Sequence, residues 1–96
     1  MFTIFICIDE HDYISEFNDC RRLLIVDADQ NRLVDMFDNP LKILDDLIEK
    51  YDPTVLFISS INEENRILVE EWGVKVFVVN KVNYNDLLNE IYGFRV

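Results

Sequence analysis

Residues 55–79 read VLFISSINEENRILVEEWGVKVFVV: an apolar run, a helix-patterned segment and a second apolar run. Val55 to Ile58 is bounded by Ser59 and Ser60, and the chain re-emerges at Gly73 into Val74 to Val79. That order predicts a β-α-β unit, which needs at least one parallel strand pair because its strands are joined by a crossover rather than a hairpin. Ser60-Ile61-Asn62-Glu63 has the spacing of a capping box, with the Ser60 hydroxyl set to accept from the Glu63 amide. Gly73 suits the left-handed residue that closes a helix. The turn before the helix lacks the glycines that a phosphate-cradling loop needs.

Upstream, Phe2 to Ile8 (FTIFICI) is apolar at almost every position. A strand with no polar face is buried on both sides and belongs in the middle of a sheet. Leu23 to Ala28 (LLIVDA) and Arg32 to Asp38 (RLVDMFD) are separated only by Asp29-Gln30-Asn31, so they pair antiparallel. Asp35 and Asp38 within the third strand suit a sheet edge, where charge blocks further pairing. Asn39-Pro40 predicts the start of a helix, capped by the asparagine with proline at its first position. Leu41, Leu44, Leu47, Ile48 and Tyr51 form its apolar stripe, and Asp52-Pro53 ends it. The helix within residues 55–79 is expected to bury Ile61, Leu68 and Trp72 or near neighbours. A last helix is expected from a cap at Asn83, with Tyr84, Leu87, Leu88 and Ile91 on one face and Gly93 at its end.

The element order is then β-β-β-α-β-α-β-α. With right-handed crossovers the fourth strand lies beside the first, and the hairpin lies on the other side. The expected architecture is a three-layer, ribonuclease H-like α/β fold, with a five-stranded mixed sheet of order 3-2-1-4-5 and only strand 2 antiparallel. The 96 residues fit one domain spanning 1–96.

Composition narrows the function. A net charge of −10 argues against nucleic acid, which needs a basic face, and against anionic membranes. The start Met-Phe-Thr-Ile-Phe has no basic leader region, and no apolar run approaches the ~20 residues of a membrane span. Cys7 and Cys20 form no CxxC pair. Cys7, inside an apolar strand, reads as a buried reduced thiol, and a cytoplasmic location follows.

Several motifs carry a resemblance. Ser15-Glu16-Phe17 leads into LLIVD and a turn; Asn39-Pro40, a helix, ISSIN before the next helix and WGVKVF after it follow in order. In order and spacing, nearly the whole chain resembles the dinitrogenase iron–molybdenum cofactor biosynthesis family, small domains that bind or carry nitrogenase cofactor precursors. Its histidine and glycine signatures are replaced here. Glu16 stands at the histidine, Asn18 at a glycine, and Ser59, Ser60 and Asn62 at three more, while Leu41 follows Pro40 with no glycine-rich insert. The resemblance implies a non-catalytic domain whose cofactor loops are Ser15, Glu16, Phe17, Asn18 and Cys20 with Ser59, Ser60 and Asn62. The implied cofactor is an iron–sulfur or iron–molybdenum cofactor precursor, its identity left open. The implied partner is a protein of a metallocluster assembly pathway.

Read for chemistry, three segments should meet at the carboxyl ends of the parallel strands: Asp9 to Asp12, Ser59 to Asn62, and Asn80-Lys81. Asp9, Glu10, His11 and Asp12 are metal-ligating types, but consecutive residues rarely converge on one centre, so a solvated acidic loop is the expectation. FTIFICI and VLFIS lack the carboxylates that a two-metal nuclease requires. His11, the sole histidine, has no evident nucleophile beside it for a triad. Cys20 reads as a half-exposed, inert thiol, whose change to serine should alter stability by less than ~0.5 kcal/mol. Trp72 reads as core or cap packing. Two classes of function remain: a metallocluster-binding or carrier domain, and an acidic protein-interaction module that kept the fold without the site.

Overall fold

The structure, a computed structural model, describes residues 2–92, without the side chains of residues 91 and 92. Five strands, β1 (Thr3–Ile8), β2 (Arg22–Asp27), β3 (Arg32–Asp38), β4 (Val55–Ile58) and β5 (Lys75–Val78), form one sheet of order β3-β2-β1-β4-β5. β2 runs antiparallel to both β1 and β3, while β1–β4 and β4–β5 are parallel. This is the expected order and polarity. β1 is central, and all six of its residues are buried.

Alternation along the strands divides the core in two. Phe5, Cys7, Leu23, Ile25, Leu56, Ile58 and Val76 face the layer that holds α1 (Leu44–Tyr51) and α2 (Glu63–Glu71). Ile4, Ile6, Ile8, Leu24, Val26, Val55 and Phe57 face α3 (Tyr84–Tyr92), whose Leu87 is buried against them. Covering both faces with helices requires such all-apolar strands. Gly93, expected to end α3, and the Ile91 side chain lie outside the described residues.

β3 is one of the two edge strands, and its register against β2 shifts where Val34 is left unpaired opposite Ile25 and Val26. Asp35 accepts a hydrogen bond from the Tyr51 hydroxyl of α1 (3.0 Å), and Asp38 pairs with Arg22 of β2 (3.0 Å). Bulge and charge together make a poor template for another strand.

Three local expectations are corrected. Ser60 does not cap α2: its backbone bridges Glu16, which holds it extended, and the helix starts two residues later. Asn62 is the cap, its Oδ1 accepting from the Asn65 amide at 2.8 Å. Asn39 makes no side-chain cap; it sits left-handed at φ 48° and turns the chain off β3. Pro40 opens a 3₁₀ turn (Pro40–Ile43), and α1 starts only at Leu44. Finally, α2 buries Val69, with Ile61 partly buried against the same core, whereas Leu68 and Trp72 stay 44% and 39% exposed.

Candidate functional site at the carboxyl ends of the strands

The connection from β1 to β2 folds back across the carboxyl ends of the parallel strands as a strap. It begins with Asp9, whose Oδ1 accepts from the amides of His11 (2.8 Å) and Tyr13 (3.0 Å). Asp12 then turns the chain at φ 67°. Lys81, from the β5–α3 connection, stands 3.8 Å from Asp9 Oδ2. Burial raises the Asp9 carboxyl pKa, but the Tyr13 and His11 amides, with Lys81 and His11 as nearby positive charge, outweigh it. The net effect is below the ordinary carboxylate value of 3.8.

The strap next pairs with two other connections. Tyr13 bridges Asn83, the Ile14 amide donates to Val82 O (2.8 Å), and the Tyr84 amide donates to Asp12 O (2.9 Å). One residue on, the Ser15 amide donates to Cys7 O (3.0 Å) and the Ser59 amide to Ser15 O (2.8 Å). Glu16 bridges Ser60 in parallel, and the Phe17 amide donates to Ser60 O (2.9 Å). A 3₁₀ turn at Phe17–Asp19 buries the Phe17 ring, and Asn65 Nδ2 of α2 donates to Asn18 Oδ1 (3.3 Å). Residues expected at the site from opposite parts of the sequence therefore meet: Ser15, Glu16, Phe17 and Asn18 lie against Ser59, Ser60 and the cap of α2 at Asn62. Asn80-Lys81 reaches the same end of the sheet through Asp9.

Cys20 is placed differently. It is 4% exposed and joined to Cys7 of β1 by a disulfide. The reduced Cys7 and the half-exposed Cys20 thiol expected from sequence are both corrected. β1 and β2 pair with Cys7 opposite Leu23, so the residues just before β2 pass close to the end of β1. The only sequence signal was that two cysteines flank one connection, and spacing alone does not distinguish a pair from two separate thiols.

The acidic loop does not converge. His11 is 76% exposed and contacts only Glu10, at 3.7 Å, among charged side chains of the described residues. No group of three histidine, cysteine or acidic side chains that could hold a metal occurs among the described residues. What the site offers inside is the Ser15 hydroxyl, fully buried without a hydrogen-bond partner, while the Asn18 and Asn62 oxygens at its rim accept from Asn65. Hard oxygen donors without a free thiol do not fit an iron–sulfur or iron–molybdenum precursor, which is held chiefly by thiolates and imidazoles. Beside the strap, an open cleft of about 660 Å³ runs between Phe57, Val79 and Leu87, with Ser59, Lys81 and Glu90 at its polar margin. No helix among the described residues is long and apolar enough to cross a membrane.

No protein-family model matches the chain, and no curated protein matches its sequence. Solved structures do. The crystal structure of PH0822 superposes with a TM-score of 0.77 at 15% identity, over 97% of this chain and 92% of that one. The crystal structure of a "putative dinitrogenase" from Methanocaldococcus jannaschii gives 0.73 at 21% identity, over 95% and 88%. An NMR structure of that archaeal protein gives 0.72 at 16% identity, over 98% and 89%. At these identities the likeness is one of fold: the chain has the fold adopted by PH0822 and by the two structures named for a dinitrogenase.

Proposed function

We propose that this chain is a non-catalytic binding domain on the dinitrogenase-like scaffold, and that it works by protein contact rather than by ligating a metallocluster. The observation that carries this reading is the fate of the loops that the family resemblance assigns to the cofactor. Their one thiol, Cys20, is bonded to Cys7, and their backbones are hydrogen-bonded to each other. A chain with a single exposed histidine and no free thiol among its described residues has no shell to offer iron. The partner we propose is a protein, one of a metallocluster assembly pathway if the shared fold reflects shared use. The cytoplasmic setting expected from a reduced Cys7 loses that ground with the Cys7–Cys20 disulfide, which suits an oxidising compartment. Catalysis has little support, because His11 projects into solvent beside Glu10 with no nucleophile.

A second reading is favoured by the likeness to the Methanocaldococcus protein: the domain carries a precursor cluster that brings its own ligands. One experiment separates the two. The protein with its disulfide intact is incubated anaerobically with an iron–sulfur precursor, then subjected to gel filtration and metal analysis. The expected result is no iron co-eluting at stoichiometric level. Stoichiometric uptake of iron by the disulfide-bonded protein would overturn the contact reading and restore the carrier.

A further inference from the structure

α2 is attached to the sheet through one fully buried side chain, Val69. Leu68 and Trp72 are one helical turn apart on one side of it, and with their neighbour Val69 taking the core position both remain about two-fifths exposed. Leu68 is exposed beside Trp72, and Trp72 itself borders a groove. Trp72 forms one wall of a groove of about 340 Å³, whose other wall is α1 through Asp45, Ile48, Glu49 and Asp52. Asp45, Ile48 and Glu49 stand at i, i+3 and i+4 on one face of α1, and Asp52 is the left-handed residue that ends it, so an apolar residue sits among three carboxylates. None of the three carboxylates has a basic side chain within ion-pair distance among the described residues. The nearest such pair in this layer, Arg66–Glu70 at 3.7 Å, lies within α2. Residues 40–72, which build the layer, hold eight acidic against three basic side chains.

We propose that the groove between α1 and α2 docks a basic amphipathic helix from a partner protein. A tryptophan two-fifths exposed at the groove wall supplies an apolar anchor of the kind that dominates binding energy, with the exposed Leu68 one turn before it, and helix-in-groove recognition reads apolar residues at one-turn spacing. The carboxylate rim selects the sign of the partner. A second copy of this chain would bring the same acidic rim against itself, and like-charge juxtaposition costs several kcal/mol, so self-association is not the occupant. The inference rests on the contact reading above and specifies its surface and its partner.

Trp72 is the only tryptophan, so its emission reports on the groove alone. The probe is a synthetic 18-residue helix with leucine at i, i+3, i+4 and i+7 and lysine elsewhere, titrated into the full chain. The control peptide replaces each lysine with glutamate. The expected result is a saturable blue shift with the lysine peptide and none with the glutamate peptide. Asp45→Lys with Glu49→Lys should weaken binding at least about tenfold. Leu68→Ser should also weaken it, while Glu10→Lys, at the far end of the loop system, should not. All these positions are exposed, so the variants should fold as the parent does.

Any of four results overturns the proposal: an unchanged Trp72 spectrum, equal binding of the glutamate peptide, equal weakening by Glu10→Lys, or dimers that already bury Trp72 at micromolar concentration. Failure of the contact reading appears separately as iron uptake, which this titration does not measure.

Discussion

Asp9 shows how one carboxylate does structural work in a loop that looks like a metal site. Two amides and Lys81 gather on it, so its charge is used inside the turn. Its folded pKa lies below the ordinary 3.8. A depressed carboxylate contributes stability above its unfolded value, and that stability is lost as pH falls from there through the folded value. Asp9→Asn, which keeps an acceptor but loses the charge, should therefore cost about 1 kcal/mol at neutral pH, the net scale of an ordinary hydrogen bond. The cost should shrink below the ordinary carboxylate range. Urea midpoints of parent and variant at pH 7 and pH 3 measure it; an equal loss at both would mean that the charge contributes nothing. The expectation of a solvated acidic loop rested on consecutive residues seldom pointing at one centre, and His11 and Glu10 are indeed exposed. That Asp9 would fold back onto its own chain was not legible, since an Asx turn depends on backbone angles such as the positive φ of Asp12.

Between elements, the covalent tie from β1 to the strap matters most. The disulfide closes a loop across a sequence separation of 13, and by loop-closure entropy a ring of that size is worth about 3 kcal/mol. Cys20→Ser should accordingly lower the unfolding free energy by about 2–4 kcal/mol, far more than an exposed thiol would allow, and reduction of the parent should lower it comparably. A change below ~0.5 kcal/mol in denaturant melts would return Cys20 to the role of a bystander. Sheet order could be read directly, because FTIFICI has no polar face and a three-residue turn forces β2 and β3 together. Helix starts were read two to four residues early. Ser60 and Asn39 have capping chemistry, but Ser60 is held extended by Glu16 and Asn39 turns the chain in a left-handed conformation. The strap itself left almost no sequence trace: it is held by main-chain hydrogen bonds, which any residue but proline can make.

For the whole molecule, the strap joins three connections that are distant in sequence into one end of the sheet. The amides of Ile14, Phe17, Ser59 and Tyr84 each donate across it. If they open as one unit, their hydrogen-exchange protection should agree within about tenfold and exceed that of exposed turn amides such as Glu10. Protection of Ser59 with rapid exchange at Ile14 would show that the strap frays independently of the β4 end. The pairing of Ile14 with Val82 also bears on how the chain is made. Val82 leaves the ribosome 68 residues after Ile14, so β1, β2 and β3 can assemble into a meander long before the strap finds its last partner. Throughout that interval Ile14 and Phe17, both buried in the finished fold, are displayed by the nascent chain. During synthesis, the strap is therefore the place where a chaperone would take hold and where premature stalling would leave the protein sticky.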